Sequence, residues 1–532
     1  MIFLIAPFSV LSATPALAQA EPLSDASARC SALARADFLQ VQDAPTQITE
    51  AKSFTPAGDT PGYCEVTGYV TPAVGFLIRL PLTNWNGKFM EVGCGGTCGF
   101  LWTQQCDRPL RKGYACLASD MGHKGTLGGN DALWADNNLQ AEVDFGYRAT
   151  HVAALAGKAI SERYYRQAPT KSYFMGCSTG GREGMVEAQR FPWDFDGIIA
   201  GAPAVNWIFN NLQALWATRV MHDGQGKAVL SAAALQVIHR AALARCDEDD
   251  GVKDGIIGNP RACRFDPSVL LCKRGEGSDC LTKSQVEAAK QLYAGPATSS
   301  GKMLYSGQEV GSELNWIDAY VGDDNHPADT SSTLERFRWM LLNPAPGASW
   351  NPKDFDFDRD YKRLGLMEPI YAAINPDLRK FKAAGAKLLV YEGWADPEVL
   401  PGGIVDYYET AEKTMGGRAT TQDFFRLFMV PGMNHCTLGA GAFAADYLSA
   451  LEAWVEHDQA PDRLIASHVQ VEDIDPNDYD AFNRRLAFPL DPKTIAFSRP
   501  VYPYPLRAKY LGHGNPNDAG SFGPIGSALY AE

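Results

Sequence analysis

Residues 173–185 read YFMGCSTGGREGM. Within them, Gly176-Cys177-Ser178-Thr179-Gly180 satisfies G-x-S-x-G, follows a strand-like run at 171–176, and precedes a helical segment expected to open near Arg182. In that context the pentapeptide folds into a sharp turn that lifts a serine hydroxyl above the edge of a sheet, and glycines flank it because the turn leaves no room for Cβ atoms. A chain with 50 glycines meets such a pattern by chance, so the flanking elements carry the weight.

Those elements recur along the chain. Short apolar runs stand at 75–82, 87–96, 113–122, 171–177, 195–203, 386–394 and 426–432, apolar at both alternating positions, as strands buried between two helical layers require. Segments 148–165 and 441–458 carry helical periodicity. The alternation implies an α/β fold with a doubly wound, mostly parallel sheet. It fails between about 205 and 370, where Asp, Gly, Pro, Trp and cysteine pairs dominate. That stretch reads as a lid inserted into the sheet domain, which divides the chain into a leader (1–20), a first catalytic part (21–204), the lid (205–370) and a second catalytic part (371–532).

A serine nucleophile needs a base, and the base needs an orienting carboxylate. In sheets of this kind the order along the chain is nucleophile, acid, histidine, with the last two on loops after later strands. Asp396 follows the run AKLLVYEGW, and His435 follows RLFMVPG. Of nine histidines, only His435 directly follows a late strand; His123, in SDMGHKG, fits a pocket or a structural role equally. Cys177 precedes the candidate nucleophile and Cys436 follows the candidate base. If Ser178 and His435 meet, their neighbours fall within disulfide reach, roughly 5–6 Å between Cα atoms, so this pair reads as a clamp rather than a thiol nucleophile.

The bulk properties narrow the rest. A net charge of −14 argues against nucleic acid or an anionic membrane surface as partner. The opening MIFLIAPFSVLSATPALAQA is apolar, is broken by Pro7 and Pro15, and ends in a small-x-small pattern at Ala18-Gln19-Ala20, which reads as a secretory signal and a secreted or periplasmic destination. No later run is long enough to cross a bilayer. Twelve cysteines in an exported chain imply disulfides, with Cys246/Cys263 and Cys272/Cys280 as local staples. Pairing among Cys30, Cys64, Cys94, Cys98, Cys106 and Cys116 stays open.

GCSTGG, Asp396 and NHC together resemble the CS–D–HC arrangement of the tannase and feruloyl esterase family of serine esterases, which also holds hydrolases of mono(2-hydroxyethyl) terephthalate. The likeness extends through NGKFMEVGCGG, ASDMGH, GREGMVEAQRFPWDFDGIIAGAPA, WADPEV and the terminal RPVYPYP…YLGHGNPNDAGSF. It implies an α/β-hydrolase fold with the lid before the catalytic aspartate, and Ser178, Asp396 and His435 as triad. The oxyanion hole would use the Thr179 N–H and one from GCGGTCG, Gly95 or Gly96. Relatives carry a further cysteine pair near the C-terminus, where this chain has Tyr502 and non-cysteine residues around Gly523.

CDEDDGVKDGIIGNPRAC, residues 246–263, gathers Asp247, Asp250 and Asp254 around two glycine turns. Three carboxylates on one centre repel unless a hard cation neutralises them, although an acidic solvated turn has the same spacing. The resemblance implies a structural Ca²⁺ held by these side chains and by the main-chain oxygens of Val252 and Ile256. It also implies a small aromatic ester, a gallate or hydroxycinnamate, as substrate. Trp207, Trp216, Trp316, Trp339 and Trp350 are candidates for a flat acyl pocket or for lid core, and Arg336 and Arg338 for a carboxylate partner or for surface charge. The alternatives are a terephthalate monoester hydrolase, a general carboxylesterase, and a non-catalytic binding protein on the same scaffold.

Overall fold

The serine of that turn ends a strand inside a nine-stranded sheet. The computed structural model describes residues 23–126, 130–223, 225–273, 277–321, 331–475 and 478–526; the expected leader, residues 1–20, lies outside them. The strands are β1 (Thr46–Phe54), β2 (Tyr63–Val70), β3 (Val74–Pro81), β4 (Lys88–Val92), β5 (Ala115–Ser119), β6 (Lys171–Cys177), β7 (Gly197–Gly201), β8 (Lys387–Gly393) and β9 (Phe425–Val430). Their order is β1-β2-β3-β5-β4-β6-β7-β8-β9. Neighbours from β5 to β9 run parallel, and those from β1 to β5 run antiparallel.

Successive side chains on the parallel strands enter opposite layers. Phe89, Phe174, Ile198, Leu388 and Val390 join one buried cluster, while Met90, Tyr173, Ile199 and Leu389 join the other. Each aliphatic or aromatic side chain so buried contributes about 1.5–3 kcal/mol, which is why these segments read as continuous apolar runs. Strands β1 and β2 escaped that reading. In β2 buried and half-buried residues alternate strictly, so only one face looks apolar, and β1 is a largely solvent-facing edge.

Two helical expectations shift. The helix after β6 begins at Thr179, not near Arg182, because the turn uses Ser178 alone to reverse direction. The helix expected over 441–458 spans Tyr447–His457; before it, β10 (Ala444–Ala445) pairs with β11 (Leu464–Val469), which pairs with β12 (Ile495–Val501). Asp446 caps that helix by accepting the Ser449 N–H at 3.3 Å.

The chain leaves the sheet after Gly201 and rejoins it at Lys387. Among the described residues, the excursion adds no strand to the sheet. One part of it has a core of its own, built on Leu235, Ile238, Leu281, Leu292 and fully buried Trp316, while Trp207, Leu212, Phe337 and Leu341 join the sheet's own cluster; Cys246–Cys263 and Cys272–Cys280 are internal bridges. At its base, the Ala373 N–H donates to the Val205 carbonyl at 2.7 Å. The remaining cysteines pair as Cys30–Cys64, Cys94–Cys98, Cys106–Cys116 and Cys177–Cys436. Among the described residues no helix is long and apolar enough to cross a membrane.

Candidate active site

Ser178 sits at φ 63° and ψ −121° between β6 and the helix Thr179–Arg190. A non-glycine residue in such a region costs about 1–3 kcal/mol and persists only where its surroundings hold it. Here they do so through the main chain. The Ser178 N–H donates to the Gly201 carbonyl at 3.0 Å, its carbonyl accepts the Arg182 N–H at 2.9 Å, and the Gly180 N–H donates to Cys94 at 2.9 Å. A Cβ on Gly176 would fall 2.6 Å from the Gly180 carbonyl carbon, and one on Gly181 would fall 2.1 Å from the Gly201 oxygen. Close backbone approach, not flexibility, fixes these glycines.

The loop 93–99 lies beside this turn. The Thr179 hydroxyl donates to the Gly96 carbonyl at 2.6 Å, and Glu183 accepts the Cys94 N–H at 3.1 Å and the Thr150 hydroxyl at 3.0 Å. Burial pushes the Glu183 carboxyl up to about 7, against the pull of those donors and of Arg182. Thr179 opens its helix, so its N–H has no partner within the helix; among the described residues, the N–H groups of Gly95 and Gly96 also donate to no backbone acceptor. His123 stacks on Trp134 at 3.7 Å between ring centroids and places Nε2 2.8 Å from the Thr97 carbonyl. Burial lowers its basicity. Its role is to hold the 93–99 loop.

Asp396 and His435 meet on the loops after β8 and β9. Asp396 is buried; its Oδ1 accepts the N–H groups of Glu398 at 2.8 Å and Val399 at 2.9 Å, and its Oδ2 accepts His435 Nδ1–H at 2.6 Å. Burial alone would make His435 a weaker base, but the charges of Asp396 and Glu398 and the hydrogen bond to Asp396 prevail and push it up to about 9. Cys436 then bonds to Cys177, with 5.9 Å between Cα atoms, so the residue after the histidine is covalently tied to the residue before the serine. Gly393 permits the loops to touch, since a Cβ there would fall 2.3 Å from the Met433 oxygen.

Four further side chains, none with a motif to mark it, reach down from the excursion onto the Asp396 loop. Asn315 donates to the Ala395 carbonyl at 2.7 Å, Tyr320 and Gln308 to that of Pro397 at 2.6 and 3.0 Å, and Asn210 to that of Glu398 at 2.7 Å. The one available signal was a polar pair, Asn210-Asn211, inside the apolar helix WIFNNLQALW. The tryptophans of the excursion belong to its packing. Trp316 is fully buried, Trp207 packs on Phe145 and Tyr371, Trp350 stacks on Phe337 at 5.2 Å, and Trp339 donates to Glu335 at 2.9 Å. Trp216 packs edge-on against Phe357 beside a cavity of 390 Å³ lined also by Arg219 and Gln291. Arg336 donates to Asn211 at 3.1 Å, and Arg338 pairs with Glu335 at 2.9 Å.

In the 246–263 segment, Gly251 and Gly255 take φ values of 94° and 80° and make two tight turns. Asp250 accepts the Val252 N–H at 3.0 Å, Asp254 the Ile256 N–H at 3.2 Å, and Asp247 the Gly255 N–H at 3.1 Å. Burial first, then the Asp254 and Asp247 charges, push the Asp250 carboxyl up to about 6. Such crowding of oxygen donors, with no nitrogen or free sulfur, fits a hard divalent cation. The three side chains do not all bring an oxygen within 4.8 Å of one another, and Arg499 holds one Asp254 oxygen at 2.7 Å.

A strand-borne serine on a glycine-packed turn, with an aspartate–histidine pair on later loops, defines the hydrolase class to which the sheet order also belongs. Residues 59–525 match the family described as tannase and feruloyl esterase. The chain belongs to that family and is a carboxylic ester hydrolase. It is 34% identical to an uncharacterized esterase of Xanthomonas campestris, covering 90% of this chain and 87% of that one. It is 33% identical to the mono(2-hydroxyethyl) terephthalate hydrolase of Piscinibacter sakaiensis, covering 88% and 85%. Feruloyl esterase B of Aspergillus oryzae superimposes with a TM-score of 0.80 at 25% identity, covering 94% of this chain and all of that one.

Proposed function

We propose that the protein is an exported serine esterase that cleaves esters of aromatic acids, of the gallate or hydroxycinnamate type, through an acyl-enzyme. The observation that carries this reading is the 2.6 Å contact of His435 with Asp396 on a loop bonded through Cys436 to the neighbour of Ser178. Ser178 Oγ attacks the ester carbonyl while the far nitrogen of His435 takes its proton. Asp396 holds the ring and stabilises the imidazolium. The N–H of Thr179, with that of Gly95 or Gly96, receives the charge that develops on the carbonyl oxygen, an effect worth several kcal/mol. The imidazolium then protonates the departing alcohol, and water repeats the sequence on the acyl group.

The acyl preference rests on the family and on the feruloyl esterase of matching architecture. The terephthalate monoester hydrolase at 33% identity supports a second reading with the same chemistry and a different acyl group. Export rests on the apolar opening and on six disulfides. Asp247, Asp250 and Asp254, with the carbonyls of Val252 and Ile256, would hold Ca²⁺, which when bound neutralises the loop. Methyl gallate, methyl ferulate, mono(2-hydroxyethyl) terephthalate and p-nitrophenyl butyrate, run side by side with Ser178→Ala as blank, test the reading. Preference for gallate or ferulate is the expected result; hydrolysis of butyrate alone, or equal rates in the Ser178→Ala protein, would defeat it.

A further inference from the structure

The Asp396 carboxylate does not stand alone. Glu392, the penultimate residue of β8, is fully buried four residues before the equally buried Asp396, whose carboxyl acts on it both by charge and as a side-chain hydrogen-bond partner. Two carboxylates in contact away from water do not both ionise; one keeps a proton. The donors decide which. Asp396 receives three N–H groups, from Glu398, Val399 and the His435 ring. Glu392 receives one, from Gly393 at 2.9 Å on Oε1, and its Oε2 has no donor at all. An ionised Glu392 would leave that oxygen buried, charged and unsatisfied, at a cost of at least 1–3 kcal/mol. A protonated Glu392 carries a donor of its own, and Asp396, its side-chain hydrogen-bond partner, still has capacity to accept. The other titratable groups that sense this carboxyl are Tyr391 on the same strand and Tyr305 from the excursion; His435 and Glu398 stand beyond Asp396. Neither lysine nor arginine is among the groups acting on Glu392.

We propose that Glu392 is kept as a neutral carboxylic acid that donates its proton to Asp396, a positioning residue behind the acid of the triad. Burial first and the Asp396 charge second favour its protonated form. The donated hydrogen bond fixes the orientation of the Asp396 carboxylate and takes up part of its charge, so it sets how strongly His435 is driven towards the imidazolium. The inference rests on the triad reading, and the two fail separately: an Asp396→Ala protein with full activity would remove the triad, whatever Glu392 does.

The test is the pH dependence of kcat/KM in the wild type, Glu392→Gln and Glu392→Leu. Glutamine donates an N–H where the acid donates an O–H and leaves the charge unchanged, so the acid limb should stay within about 0.3 pH units of wild type, with kcat within a few-fold. Leucine donates nothing, so the Asp396 charge bears fully on His435; the limb should rise by roughly one unit and kcat should fall about tenfold. A limb that moves down by a unit in Glu392→Gln would mean that a negative charge had been removed, and would overturn the proposal. Wild-type behaviour in both variants would overturn it as well. If the leucine variant does not fold, infrared difference spectra decide between wild type and Glu392→Gln. A protonated-carboxyl band lost in Glu392→Gln supports the proposal, and its absence from wild type refutes it.

Discussion

The Ser178 turn and the Asp396 loop carry two members of the proposed triad, and they are held by different means. The first is fixed locally, by main-chain hydrogen bonds to Gly201 and Cys94 and by glycines that admit backbone against backbone. The second is fixed from a distance, by Asn210, Gln308, Asn315 and Tyr320 reaching from the excursion with four hydrogen bonds to three carbonyls of the loop. Ser178 stands in a strained conformation, and main-chain hydrogen bonds near at hand hold it there. An acid has only to point, and side-chain donors suffice for that.

Breaking the covalent tie should have the largest effect. Replacing Cys177 and Cys436 together by alanine removes a closure over 259 residues, worth on the order of 2–5 kcal/mol. The denaturation midpoint should fall accordingly, and kcat should fall far more than KM rises; wild-type turnover would show that the turn holds without its clamp. If the 246–263 loop holds calcium as proposed, chelation should loosen that loop. With calcium at a hundredfold excess over Kd, its removal should cost about 2.7 kcal/mol, seen as a lower Tm in EDTA that added calcium restores. An unchanged Tm, with no metal by elemental analysis, would dispose of the site.

The distant support is tested one amide at a time. Asn315→Ala and Asn210→Ala each remove the side-chain donor from a carbonyl of the loop, at about 0.5–1.5 kcal/mol, and should lower kcat by slackening Asp396 while KM changes little. If kcat is untouched, the excursion does not hold the acid. The smallest effect is a displacement rather than a loss. His435 must be neutral to accept the serine proton, and Asp396 and Glu398 raise it to about 9. The acid limb of kcat/KM should therefore lie above the usual histidine range near 6.5 and climb as pH rises towards that value. A limb at 6 would mean that the site relaxes those charges.

This contrast also explains what could be read from the sequence. Strands β3 to β9 announce themselves because both their faces are buried, whereas β1 and β2 keep a polar face and look like loop. The turn at Ser178 is legible because close packing demands glycine at fixed offsets, and Cys246/Cys263 because short loops pair locally. Cys30–Cys64 spans two elements and has no such signature. The donors to the Asp396 loop leave no pattern, since a carbonyl accepts from any residue that the fold delivers. The tryptophans were visible as aromatics, but composition does not tell a pocket wall from a core: Trp207 and Trp316 are core, while Trp216 lines a cavity. Glu392 hides inside an apolar strand, where one carboxyl looks like an ordinary interruption.

The Cys177–Cys436 bridge encloses the entire excursion between its two ends. A protease that nicks any surface loop from residue 179 to residue 435 therefore yields two fragments that stay joined through this bond, with Ser178 and His435 on opposite pieces and still side by side. That wiring gives the fold a kind of fault tolerance towards proteolysis. One cut is a scar, and separation of the halves waits for a reductant.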